Sequence, residues 1–212
     1  MAIIEFFYDF SSPYSFLAMT KLPEIAARTG AVLVPKPFVL GAVFKASGNH
    51  APATVAAKAV YVAMDVAAWA DTYDVVFTIP ESFPINAIKA ARMVVALEDR
   101  DQAWRLTDRL FRAYWSESQD ITDGGVLAKL ASELGLNGAA LVAQTEQQAV
   151  KDKLRAHTDD AISRGAFGAP TIYVGDQMFV GNDRLNFVER AARGEQIYRS
   201  DATLPPGARA RL

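Results

Sequence analysis

The sequence predicts an α/β fold divided by an inserted all-helical block. Three observations carry that prediction. An apolar, strand-like run opens the chain and gives way at Ser11-Ser12-Pro13 to a helical pattern. Strand signals then nearly vanish between residues 42 and 165, where alanine dominates. Strand chemistry returns after Gly168-Ala169-Pro170, in the β-branched and aromatic Thr171-Ile172-Tyr173-Val174.

Each element has its own signal. Residues 2–10 include Ile3, Ile4, Phe6, Phe7, Tyr8 and Phe10 and leave little polar face, as central parallel strands do. Pro13 suits a first helical position, where its missing N–H would have no partner, and Ser12 then falls at the N-cap. Tyr14, Leu17, Ala18, Leu22, Ile25 and Ala26 recur at helical spacing until Gly30. Residues 31–40 alternate around Pro35 and Pro37, which suggests an edge strand or a bend near its end.

In the inserted block, Pro52 is expected to open a long helix bearing Val55, Ala59, Val62, Val66 and Trp69. Residues 72–84 read as a loop. Helices are expected over 86–100, 102–116 and 123–134, with two more before Gly165, giving five or six in all. The closing unit is a hairpin turning at Gly175-Asp176-Gln177, then a last helix from Gly181-Asn182-Asp183-Arg184. The expected domains are thus residues 1–41 with 166–195, an inserted helical domain over 42–165, and a tail over 196–212. That tail holds Pro205-Pro206-Gly207 and is expected to pack loosely on the surface.

Composition removes several function classes. Of 212 residues, 51% are hydrophobic and 22% charged, enough for a sizeable core. A net charge of −2 offers no footprint for nucleic acid and no basic patch for a membrane. The chain has no cysteine, so it forms no disulfide, offers no thiolate to a metal and has no thiol nucleophile of its own. Its two histidines, His50 and His157, are far apart, and no metal site is expected. The longest apolar stretch, residues 54–70, is broken by Lys58 and Asp65, so no membrane span is expected. Glu5 interrupts the N-terminal apolar run and no basic residue precedes it, unlike a signal peptide. A cytoplasmic location is expected. The final Ala210-Arg211-Leu212 loosely resembles a peroxisomal address, a match that chance often supplies.

The element order is β-α-β, helices, proline-led hairpin, helix: that of a thioredoxin-like domain interrupted by helices. In that arrangement the start of the first helix faces the loop before the hairpin, which predicts Ser12 beside Ala169-Pro170. The segment Asp9-Phe10-Ser11-Ser12-Pro13-Tyr14-Ser15-Phe16-Leu17 resembles the opening motif of kappa-class glutathione transferases and of their bacterial relatives, the 2-hydroxychromene-2-carboxylate isomerases. Both belong to the DsbA-like branch of thioredoxin folds. The resemblance continues in order through Ser47-Gly48-Asn49 with Lys58, Phe83-Pro84-Ile85-Asn86 with Ala91-Arg92, and Asp120-Ile121-Thr122-Asp123. It closes with Gly168-Ala169-Pro170-Thr171 and Gly181-Asn182-Asp183-Arg184-Leu185, and so spans about residues 3–187. Val180 departs from it, standing where relatives often carry a bulky aromatic side chain.

The resemblance implies a glutathione-dependent isomerase that converts 2-hydroxychromene-2-carboxylate to trans-o-hydroxybenzylidenepyruvate in aromatic degradation. A kappa-like transferase acting on other electrophiles, and a non-catalytic glutathione- or peptide-binding module, stay open. It implies a homodimer acting on a small aromatic carboxylate. Ser12 would donate a hydrogen bond to a glutathione thiolate; alone, it reads as a helix cap. Pro170 would follow a cis bond, with Ala169 pairing its backbone to the cysteinyl unit; alone, Pro170 reads as a strand start. Asn182 and Asp183 would hold the γ-glutamyl end, or merely cap a helix. Asn49 and Lys58 would hold the glycine end, although a lone lysine on an alanine-rich helix is usually solvated. Phe10 and Tyr14 would shape the substrate pocket. Asn86 and Arg92 would orient an anionic substrate, or Arg92 is a surface residue. Ser11 is a lesser rival for the cap, and Ser15 and His50 read as structural.

Overall fold

The computed structural model describes residues 1–198. The stretch 199–212, which holds Pro205-Pro206-Gly207, the terminal tripeptide and nearly all of the expected tail, lies outside the described residues.

Four strands, β1 (Ile3–Tyr8), β2 (Val32–Pro37), β3 (Thr171–Val174) and β4 (Gln177–Val180), form one mixed sheet in the order β2-β1-β3-β4. β1 runs parallel to β2, with Tyr8 opposite Pro37, and antiparallel to β3, with Phe7 opposite Thr171. Being central and covered on both faces, β1 needs apolar side chains at almost every position. Ile4, Phe6 and Tyr8 point into the main core. Phe7 points the other way, into a smaller cluster with Phe38, Val43, Ala161, Ala166 and Tyr173. β2 is an edge strand, where Pro35 and Pro37 are tolerated.

α1 (Pro13–Thr29) begins and ends as expected. Ser12 is its N-cap, Pro13 its first residue, and Gly30 adopts a left-handed φ of 66° and donates its N–H to the Ala26 carbonyl. Between β2 and β3 run α2 (Leu40–Ser47), a 3-10 turn at Pro52–Thr54, α3 (Ala56–Tyr73), α4 (Ile88–Ala96), α5 (Arg100–Trp115), α6 (Gly124–Glu133), α7 (Gly138–Gln144) and α8 (Gln148–Ser163). That makes seven α-helices, not five or six. The unforeseen one is α2, and Pro52 opens the 3-10 turn instead of the long helix.

α2 has no local cap. Partners distant in sequence take its place: Thr158 Oγ1 accepts the Val39 N–H at 3.1 Å and Asp9 Oδ2 accepts the Leu40 N–H at 3.0 Å. The Asp120-Ile121-Thr122-Asp123 motif is also structural. Asp120 accepts both the backbone and side-chain donors of Thr122, and Asp123 caps α6 through the Val126 N–H.

α5 fastens the helical block to β1. Tyr8 and Thr107 share a buried hydroxyl–hydroxyl bond of 2.6 Å, and the Trp115 indole N–H donates to the Phe10 carbonyl at 2.9 Å. Burial pushes the Tyr8 hydroxyl pKa well up, so it stays a neutral hydrogen-bonding group. A 3-10 turn at Asn182–Arg184 leads into α9 (Leu185–Ala192), and neither Asn182 nor Asp183 makes a side-chain cap bond. Among the described residues, no helix is long and apolar enough to cross a membrane, and no group of three His, Asp or Glu could hold a metal ion.

Candidate active site

Ser12 joins the end of β1 to α1 in extended backbone geometry, with φ −95° and ψ 115°. Its Oγ accepts the Ser15 N–H at 3.2 Å and donates its one proton to the Ala169 carbonyl at 3.0 Å, across 157 residues of sequence. The Ala169–Pro170 bond is cis, and the Pro170 carbonyl accepts the Gly181 N–H at 3.0 Å. Gly181 has φ +99°, a conformation that strains any residue with a Cβ and so favours glycine. The amides of Tyr14 and Ala169 have no acceptor among the described residues. Unpaired donors therefore accompany the Ser12 hydroxyl at the positive end of a 17-residue helix.

Ser11 has its donors engaged. Its N–H and O–H both donate to Asp9 Oδ1, at 2.9 and 2.8 Å, while Asp9 Oδ2 holds α2. Asp9 thus ties the strand–helix turn to the start of α2 and leaves Ser12 alone at the cap.

Beside Ser12 opens a cavity of about 990 Å³. Ser12 is only 5% exposed, yet it forms part of the cavity wall. The opposite wall is apolar. Trp115 stacks on Phe77 at 5.5 Å and meets Phe83 at 5.6 Å, and Ile79, Ile85 and Val62 extend the surface. Val180 lies on the wall as well. Asn49, His50 and Lys58 form an exposed polar rim.

The structure brings six of the expected site residues to this cavity: Ser12, Tyr14, Asn49, Lys58, Asn86 and Ala169. Tyr14 donates to Asp65 Oδ2 on α3 at 2.7 Å. Burial, and then that bond, raise its pKa, so it remains a protonated wall residue. Asn49 donates to the Phe167 carbonyl at 2.7 Å and accepts the His50 N–H, which ties the end of α2 to the loop before Pro170. Asn86 accepts the Ile88 N–H at 3.2 Å, and its amide N–H groups have no acceptor among the described residues. Lys58 has no ion-pair partner among the described residues.

Five others stand elsewhere. Phe10 is 1% exposed and packs between Tyr8 and Phe111, so it belongs to the core and touches the site only through its carbonyl bond to Trp115. Arg92 lies one turn along α4 from the wall and reaches the end of α7, donating to the Thr145 carbonyl at 3.5 Å beside Glu146 at 3.9 Å. Pro170 is buried behind Ala169. Asn182 is 2% exposed, its carbonyl accepting the Tyr73 hydroxyl at 3.3 Å, and Asp183 pairs with Arg184 at 3.4 Å. Both stand behind Gly181, the residue of that segment that reaches the cavity.

Trp115 and Phe77 line the cavity and Asp65 holds Tyr14 there, and the sequence reading did not single them out. A signal existed for Phe77: residues 75–85 are too apolar for a solvated loop and so must cover something.

The profile of the DSBA-like thioredoxin domain matches residues 3–193. A 2-hydroxychromene-2-carboxylate isomerase of Sphingobium xenophagum is 35% identical over 188 residues, which cover 88% of this chain and 95% of that protein. Glutathione S-transferase kappa 1 of Rattus norvegicus is 28% identical over 201 residues, 88% of each chain. A solved 2-hydroxychromene-2-carboxylate isomerase superposes with a TM-score of 0.83 at 28% identity, over 89% of this chain and 93% of that one. The chain therefore belongs to the DsbA-like thioredoxin family, among the enzymes that comprise the 2-hydroxychromene-2-carboxylate isomerases and the kappa-class glutathione transferases.

Proposed function

We propose that this cleft binds glutathione at Ser12 and isomerises 2-hydroxychromene-2-carboxylate to trans-o-hydroxybenzylidenepyruvate. One observation carries the reading: in a chain without cysteine, a hydroxyl at a helix N-terminus lies 3.0 Å from the carbonyl preceding a cis-proline, on the wall of an apolar cavity. The 35% identity to a named isomerase supports the choice of reaction.

The residues fit the tripeptide. Ala169 offers an unpaired N–H and a carbonyl to an extended peptide. Lys58 and the free amide of Asn86 suit carboxylates. When bound, glutathione supplies a sulfur nucleophile that adds reversibly to the conjugated system and departs after bond rotation, with no net redox change.

The chain's own part is electrostatic and steric. Ser12 donates a hydrogen bond to the sulfur, worth about 1.5–3 kcal/mol for a charged acceptor, or about one to two pKa units. The α1 dipole adds about 0.3–1 kcal/mol. Together they favour an ionised thiol at neutral pH. The Trp115, Phe77 and Phe83 wall offers an aromatic ring a flat apolar surface and excludes water. Lys58 at the rim attracts anions, and a homodimer would accord with the family.

The test is spectrophotometric. Loss of chromene absorbance with the glutathione total unchanged supports the proposal. Stoichiometric loss of glutathione would replace it with the transferase reading that the kappa-class relatives favour, and binding with neither change would leave a binding module.

A further inference from the structure

Part of the apolar wall is carried by a stretch with no regular structure of its own. Residues 76–79, in the connection between α3 and α4, bring Phe77 and Ile79 to the cavity. A helix or strand satisfies its own backbone, whereas an irregular stretch must find partners elsewhere. Among the described residues, every hydrogen bond of residues 76–79 goes to Trp115, Ser116 or Ser118, at the end of α5. The Trp115 carbonyl accepts both the N–H and the hydroxyl of Thr78, at 2.7 and 3.1 Å. Ser116 Oγ donates to the Val76 carbonyl at 2.6 Å, and the Thr78 and Ser118 hydroxyls share a bond of 3.0 Å. Phe77 lies between the two tethered residues and stacks on the Trp115 indole, with the ring planes 17° apart.

Trp115 is itself a fixed point. Its indole N–H donates to the carbonyl of Phe10, just ahead of Ser11 and Ser12. The wall at Phe77 is thus tied to the Ser12 corner through one residue, by its side chain on one side and its carbonyl on the other. Ser118 adds a second sign. Its φ of 53° lies in the left-handed region, which strains a residue with a Cβ and suits glycine. What a serine offers there and glycine does not is the hydroxyl, and that hydroxyl meets Thr78.

We infer that Thr78, Ser116 and Ser118 are positioning residues for the aromatic substrate. Their hydroxyls clasp residues 76–79 to the end of α5 and so hold Phe77 and Ile79 in place on the cavity wall. None of the three lines the cavity, so each acts through the residues it holds. The role rests on the isomerase reading for the identity of the substrate. The clasp shares no bond with the Ser12 corner, whose partners are Ser15 and Ala169, so it governs acceptance of the ring and leaves the sulfur alone.

The experiment is a set of substitutions away from the cavity. Thr78→Val with Ser116→Ala removes the hydroxyl bonds and leaves the Thr78 N–H on the Trp115 carbonyl. KM for 2-hydroxychromene-2-carboxylate should rise about five- to tenfold in the double variant, with a smaller change in kcat. The Kd for glutathione and the titration of its bound thiol should match the wild type. Thr78→Ser alone keeps the hydroxyl and should keep the wild-type KM. Ser118→Gly relieves the backbone, so its melting temperature should not fall, yet KM should still rise about two- to threefold. An unchanged KM in the folded double variant, or a KM that follows melting temperature across the set, overturns the inference and leaves the glutathione reading intact. Should the double variant fail to fold, Ser118→Gly decides. Absence of chromene turnover in the wild type removes the isomerase reading itself. The clasp is then decided by the Kd of 1-hydroxy-2-naphthoate, an unreactive two-ring acid, read by tryptophan fluorescence. Weaker binding to the variants upholds it, and equal binding, or none to any of the proteins, refutes it.

Discussion

The two walls of the cleft are made of different materials. On the sheet side, backbone groups and the Ser12 hydroxyl form the polar corner of the cavity, held by a helix start, a cis-proline and a hydrogen bond between residues 157 apart. On the helical side they are large apolar side chains, held by packing around Trp115. The first wall can hold a peptide and a negative charge whatever the substrate is. The second can be reshaped by substitution without disturbing the first. Binding chemistry and substrate choice are thus separable, and variants on each wall should fail in different ways.

The largest effect is expected on the helical wall. Trp115→Ala removes a buried indole, its stack on Phe77 and its bond to Phe10, and should cost about 3–5 kcal/mol of stability in urea denaturation. Any Trp115→Ala protein that remains folded should keep its glutathione affinity while KM for the aromatic substrate rises. Equal losses on both ligands would break the division between walls.

Ser12→Ala comes next. Turnover should fall about 10- to 100-fold with little change in KM for the aromatic substrate. The lost cap costs about 0.5–2 kcal/mol of stability, so rates are to be compared well below both melting temperatures. Tyr14→Phe deletes the bond to Asp65 and should destabilise the contact between α1 and α3 by about 0.5–1.5 kcal/mol, leaving the bound-thiol ionisation unchanged. A shift in that ionisation would make Tyr14 part of the chemistry. Lys58→Ala should weaken glutathione binding only a few-fold, about 0.2–1 kcal/mol, with the deficit shrinking as salt is added.

A region behind the sheet gives a control. His157 Nδ1 lies 3.2 Å from the Pro37 carbonyl, and burial, followed by the charge of Lys36, lowers its pKa below the ordinary 6.5. The folded state therefore favours neutral imidazole. Its stabilisation is complete above about pH 6.5 and is lost as the pH falls through the lower folded-state value. Urea stability should decline as the pH falls from about 6.5 toward that lower value, and His157→Phe should flatten the decline without touching bound-thiol ionisation.

What could be read from the residues alone follows the same division. Ser12, Pro13 and Gly30 announce themselves because capping chemistry is local, and the β1 pattern does so because burial on both faces leaves no polar positions. α2 escapes notice because its first donors are satisfied by Asp9 and Thr158, which no local window contains. Phe10 and Arg92 carry a family motif, but a motif does not say which way a side chain points. Phe10 turns to Phe111 and Arg92 to the end of α7. Trp115 reads as one more apolar residue on an amphipathic helix until the fold places Phe77 and Phe83 against it.

The most direct test of the central claim is the pH titration of the bound glutathione thiol, read by its ultraviolet absorbance, in wild type and Ser12→Ala. The structure predicts an apparent pKa below that of free glutathione in the wild type and a rise of about one to two units in the variant. Superimposable titrations would mean that the Ser12 hydroxyl does not ionise the sulfur, and would contradict the account.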